Sequence, residues 1–292
     1  MKKRLSVDHA FMAVNYFILI VLMVLMIYPV LYVVMASVAA GPHNMTVYLI
    51  PRKFTLAGYE AVFQYKDIWN GYVNSLINTT LQVFVSLTVT MFCAYPLSRS
   101  DFKGRNAIMV LCMITMYFSG GMIPSYLLIR DLGLLNSRWA LILPGAMSVY
   151  NMIVTRTYIM SAIPNEIRES AQIDGCGNIR YLFSMVLPLS KSILAVIALF
   201  VIVSSWNSYF DAMIYVSRRR ELYPLALILR EILVLDGNML ESMDVEMLMN
   251  IEERRNVMKY AVIVVSTLPV MVIYPFVQKF FVKGVMIGSV KG

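Results

Sequence analysis

Six long apolar stretches, with charges only at or near their ends, restrict this chain to a bundle of membrane-spanning helices. They run approximately from Phe11 to Ala39, Tyr72 to Leu97, Asn106 to Ile129, Trp139 to Met160, Ser192 to Val216 and Tyr260 to Gln278. A helix rises about 1.5 Å per residue, so roughly 17 to 25 apolar residues cross the hydrocarbon core. Composition agrees: 59% of residues are hydrophobic and 14% charged, against about 25% charged in an ordinary soluble domain. The expected fold is therefore an all-α polytopic membrane protein with six transmembrane helices.

The charges that border these stretches, Arg156, Asp211, Lys259 and Lys279, lie where long side chains can reach the interface. Proton and ion relays need acidic, basic or histidine groups inside the span, and the apolar stretches offer none. The energy for any transport is expected from a partner. The net charge of +8 does not argue for nucleic acid, because no basic patch interleaved with aromatics accompanies it. Cys93, Cys112 and Cys176 have no metal-ligand spacing and read as reduced packing residues. The first stretch follows Lys2, Lys3 and Arg4 and ends near Ala36-Ser37-Val38-Ala39, as a cleaved leader would. Its apolar run is roughly twice the 7 to 15 residues of a leader core, which favours a retained helix.

Six crossings place both termini on one side. Lys and Arg accumulate in short cytoplasmic loops, but here they divide almost evenly between the two sides, and only the loop with Arg99, Lys103 and Arg105 leans towards the cytoplasm. Enzyme signatures are missing: there is no HExxH, no GxSxG and no phosphate loop. No catalytic residue and no metal site is expected.

The segment between the fourth and fifth stretches reads as a short helix outside the bilayer, about 164–175. Pro164 suits a first turn, Glu166 and Glu169 lie where acidic groups complement the helix dipole, and Gly175 can close the end in a left-handed conformation. Ile163, Ile167 and Ala171 recur at i, i+4 and i+8 and give it one apolar face. Periodicity leaves open whether lipid or protein covers that face.

Glu169-Ser170-Ala171, Gly175 four residues after Ala171, then Met185, Leu187 and Pro188 resemble the EAA loop of binding-protein-dependent ABC importer permeases. The spacing of that loop is EAA, three residues, G, nine residues, I, one residue, LP. Ser170 and Met185 stand where the pattern has Ala and Ile. The resemblance implies that the loop is a coupling helix docked in a cytoplasmic ATPase, with Glu169 pairing a basic residue there, Gly175 making the turn, and Leu187 and Pro188 leading into the next span. It also implies that the loop and both termini are cytoplasmic.

Lys283-Gly284 and the tail Gly288-Ser289-Val290-Lys291-Gly292 are similar to the ATPase-contacting tail of maltose-system-type carbohydrate permeases, and Trp206-Asn207 with Phe210 to their fifth helix. Phe118 to Pro124 and Leu132 to Leu135 resemble a branch handling complex oligosaccharides, including acidic ones from uronate polymers. By this resemblance, residues 1–71 form an N-terminal transmembrane helix and external loop, 72–280 a five-helix permease core, and 281–292 a cytoplasmic tail. It implies a bacterial inner-membrane location and four kinds of partner: a homologous second permease, two ATPases carrying ATP and Mg, an extracytoplasmic solute-binding protein and the lipid bilayer. No cofactor is expected on this chain itself.

A hydrated sugar needs hydrogen-bonding groups along its path, because polar groups cannot be left unpaired in hydrocarbon. Asn74, Asn78, Tyr126, Asn151, Trp206, Asn207 and Tyr209 are the candidates within or near the spans. Each also has an ordinary reading, as an interhelical hydrogen bond or an interface aromatic. Gly120, Gly121 and Pro124 are expected to weaken or bend the third helix near its outer end. The polar loop from Ser217 to Val257 reads by itself as a solvated loop, and the resemblance implies that it contacts the external binding protein around Asp236 to Glu246.

Overall fold

The computed structural model describes residues 2–39, 51, 54–234 and 258–275, and among these no strand forms beyond one bridge between Ala39 and Phe54. The helices are α1 (Lys2–Ser37), α2 (Ala57–Gln64), α3 (Lys66–Ser98), α4 (Arg105–Tyr117), α5 (Met122–Asp131), α6 (Trp139–Ile142), α7 (Val149–Ala162), α8 (Asn165–Ile173) and α9 (Asn178–Tyr181). A π-helical turn (Leu182–Val186) leads to α10 (Leu187–Leu189), α11 (Lys191–Asn207) and α12 (Phe210–Tyr215). A 3₁₀ turn (Arg220–Leu222), α13 (Leu225–Val234) and α14 (Met258–Pro275) follow.

Three helices are individually long and apolar enough to cross a bilayer among the described residues: Asp8–Ser37 of α1, α3 and α14. Counting each of two sharply bent pairs as one span raises the number to five. The third, fourth and fifth stretches, expected as continuous spans apart from a weakening or bend in the third, are broken in the structure. The third stretch divides into α4 and α5 with a bend of 112°. Gly121 sits there at φ 89°, a left-handed conformation that costs glycine little, so the expected weakening amounts to a complete break. The fourth stretch is interrupted at 143–148, where Pro144 withholds an amide from the helix. The fifth ends α11 at Asn207 and restarts at Phe210. Upstream, Pro188 has no amide to offer the Ser184 carbonyl, and the backbone widens into the π turn and bends by 78° before α11. The expected end of the last span, at Gln278, lies outside the described residues, as do Asp236 to Glu246 and the tail from Gly288 to Gly292.

The described residues divide into two units, those within Met1–Lys66 and Glu231–Leu268 and those within Asp67–Arg230 and Pro269–Gly292. In the first, the Ser37 and Tyr59 hydroxyls hydrogen-bond at 2.7 Å, and Tyr32 meets Tyr260 edge to face at 6.1 Å. Along α1, Phe11, Phe17, Leu25 and Met26 are exposed, as lipid-facing groups are. In the second unit, Ile193, Ile197 and Val201 of α11 pack against Val83 and Leu87 of α3 and Val154 of α7.

A polar stripe runs along the buried side of α3. Asn74, Asn78, Gln82, Ser86 and Thr90 recur every fourth residue and are all buried. This inverts the pattern of a water-soluble helix, because in lipid the apolar side faces outwards and polar groups turn towards protein or a cavity.

Candidate functional site

The segment at about 164–175 forms the short helix that its sequence indicates, and the structure adds the partner of its apolar face. α8 starts after Pro164, which occupies the N-cap with extended ψ rather than the first turn. At the other end the Cys176 amide donates to the Ala171 carbonyl at 2.8 Å, and the Gly175 amide to Gln172 at 3.0 Å. With Gly175 at φ 72°, this is a Schellman closure. Gly175→Ala is expected to cost about 1 kcal/mol, because a Cβ disfavours the left-handed region; thermal unfolding of the purified chain checks it.

Ile163 and Ala171 are buried, and with Ile167 they pack into a cluster containing Met91, Ala94, Tyr95 and Leu182. The apolar face of α8 therefore belongs to this chain's own core. Neither lipid nor an ATPase is needed to cover it. Glu169 and Ser170 face outwards, and Ile173 is 87% exposed at the tip. A carboxylate beside a bare isoleucine is a surface suited to a protein cleft. Cys93, Cys112 and Cys176 are free and pack against the same cluster.

An ionic clamp, which the sequence reading overlooked, ties α8 to the turn after α3. Asp101 receives both Arg168 guanidinium nitrogens, at 3.1 and 2.7 Å, and both Nε and an Nη of Arg99, at 3.0 and 2.6 Å. Arg99 also donates to the Asn178 side chain, and Arg105 to the Arg99 carbonyl at 3.0 Å. Arg156 donates to the Leu97 carbonyl at 2.8 Å, so this residue caps the C-terminal end of α3 besides bordering a span. Hydrogen bonds from Arg99 and then Arg168 hold the Asp101 carboxyl well below the usual carboxylate range. A depressed pKa stabilises above the ordinary carboxylate value of about 3.9 and is lost only as pH falls through the lower folded value. Hydrogen exchange of the α8 amides, corrected for intrinsic rates, is therefore expected to show unchanged protection between roughly pH 5 and 7.

A cavity of about 520 Å³ opens among α3, α7 and α11, within the ~300–1,000 Å³ range of small-molecule sites. Its polar lining includes Gln82, Ser86, Asn151, Ser204, Ser205 and Asp211. Gly145 and Ser208, at the breaks of the fourth and fifth stretches, also border it. Irregular backbone at membrane depth is tolerated where it lines a cavity, so the breaks and the cavity explain each other.

Of the path candidates, Asn151 lines this cavity. Asn74 and Asn78 instead accept from Arg138 at 2.8 and 2.6 Å, and Asn74 donates to the Glu221 and Tyr223 carbonyls. Tyr126 stacks on Tyr215, Trp206 is buried with its ring edge to Tyr72, Asn207 donates to Val203, and Arg230 lies over the Tyr209 ring at 5.5 Å. Gln82, Ser86, Ser204 and Asp211 were not among the candidates. For the α3 pair the available signal was the four-residue polar period.

No family model matches the chain. Two proteins of Bacillus subtilis are each 39% identical to it: Protein LplC over 91% of this chain and 90% of its own length, and the polygalacturonan/rhamnogalacturonan transport system permease protein YtcP over 95% and 96%. A chain from the crystal structure of a bacterial ABC transporter involved in the import of the acidic polysaccharide alginate superposes with a TM-score of 0.84 at 33% identity, covering 94% of this chain and 97% of that one. With near-complete coverage at this identity, and a helical fold that superposes throughout, the chain belongs to the permease subunits of ABC importers for oligosaccharides.

Proposed function

We propose that this chain forms half of the translocation path of an ATP-driven importer for an acidic, uronate-containing oligosaccharide. The observation that carries the substrate class is the 39% identity to the polygalacturonan/rhamnogalacturonan permease across 95% of the chain. The alginate importer's close structural likeness supports it. The path half is the cavity among α3, α7 and α11, and the receiver of force is the loop from Glu169 to Pro188. In this reading the chain crosses the inner membrane six times, with residues 139–162 as the fourth crossing despite their break, and both termini are cytoplasmic.

The chain itself catalyses no bond chemistry. ATP and Mg are held by two cytoplasmic ATPases, whose closure drives a rigid-body change between inward- and outward-facing states. A second permease supplies the other half of the path, and an extracytoplasmic binding protein delivers the sugar. The tail from Gly288 to Gly292 contacts the ATPases, and the loop around Asp236 to Glu246 the binding protein. Proteoliposomes holding the whole complex are expected to import oligogalacturonate when the binding protein and ATP are present together. Import of neutral sugars, amino acids or peptides alone would overturn the substrate assignment.

A further inference from the structure

The cavity among α3, α7 and α11 has a polarity that bears on which part of an acidic sugar it can hold. Gln82 and Asn151 are each 7% exposed, and neither carboxamide is hydrogen-bonded by another described side chain or carbonyl. Both belong to the cavity wall. A Cβ at Gly145 would stand 2.9 Å from Gln82 Nε2, so glycine at that break leaves room for the carboxamide where it is. Ser86 and Ser204 add hydroxyls, and Asp211 adds a carboxyl group. No lysine, arginine or histidine lies among the residues lining the cavity.

Carboxamides and hydroxyls both donate and accept, which matches the alternating demands of sugar hydroxyls. A carboxylate needs cationic or multiple N–H donors, and here it would meet the carboxyl group of Asp211 with no basic side chain in the lining to offset it. Resting on the uronate reading above, we infer that this cavity is a hydroxyl-reading subsite. Gln82, Asn151, Ser204 and Asp211 hydrogen-bond the uncharged face of one sugar residue, and Asp211 turns the residue's carboxylate away from this chain. The acid groups are read outside this cavity.

The test uses the complete importer in proteoliposomes with oligogalacturonate as the probe. Asp211→Asn, which keeps size and hydrogen-bonding capacity, is expected to raise kcat/KM for import roughly threefold to tenfold by relieving like-charge repulsion. Asp211→Glu, which keeps the charge, is expected to produce no such rise. Gln82→Leu is expected to lower kcat/KM about tenfold, as loss of hydrogen bonds to substrate does. Import by Asp211→Asn at or below the wild-type value, in complexes that assemble normally, overturns the inference. Import of oligogalacturonate by no complex, wild type included, overturns instead the substrate reading on which the inference rests.

Discussion

Glu169→Lys in the assembled importer is expected to remove binding-protein-stimulated ATP hydrolysis and import together, each by about a hundredfold, while leaving the chain folded. The magnitude follows if Glu169 pairs with a basic residue of the ATPase as proposed, because losing one partner of a desolvated interfacial ion pair costs roughly 2–5 kcal/mol. Sparing of the fold follows from where the side chain sits. Glu169 lies on the exposed side of α8, opposite Ile167 and Ala171, which anchor the helix in this chain's core. The Schellman closure at Gly175 does not involve it. A lysine there changes the docking surface and little else. Co-purification of the ATPases, vanadate-sensitive hydrolysis and import should fall in parallel, with thermal unfolding of the permease unchanged. Full stimulation in the variant would sink the coupling assignment.

Much of this arrangement was legible because the governing constraints are local. The lack of charge in the apolar runs indicated helices, Pro164 and the early acidic residues indicated the short helix α8, and Gly175 suited the left-handed turn that ends it. The breaks were harder to read because a hydropathy window averages over Pro144 and the Asn207–Ser208 step, neither of which is charged. The partner of the α8 apolar face was illegible for a different reason. Periodicity records that a face is apolar, while Met91, Tyr95 and Leu182, which cover it, come from other parts of the chain. The path residues suffered similarly. Asn74 and Gln82 share one stripe of α3, but whether a member meets Arg138 or open space depends on where 138 and 145 return.

The second large effect is expected at Asp101, through which α8 is fastened to the C-terminal end of α3. If the ATPases push on α8, the push reaches the cavity only through contacts between α8 and the spans, and α3 carries Gln82 and Ser86 in the cavity wall. The apolar contacts of Ile163 and Ala171 can slide. The bidentate Arg168–Asp101 pair, held from the other side by Arg99, fixes register. Asp101→Ala is therefore expected to reduce sugar imported per ATP about tenfold while the ATPases still bind and hydrolyse, because Glu169 and Ile173 remain in place. Destabilisation of the fold should be modest, about 1 kcal/mol, since Asp101 is about half exposed and solvent screens the pair. Arg168→Ala should uncouple in the same direction, and the double variant should be no worse than Asp101→Ala alone, as a shared interaction requires. Import per ATP at the wild-type ratio in Asp101→Ala would show that force reaches α3 by packing alone, and the clamp would then be only a brace for the loop.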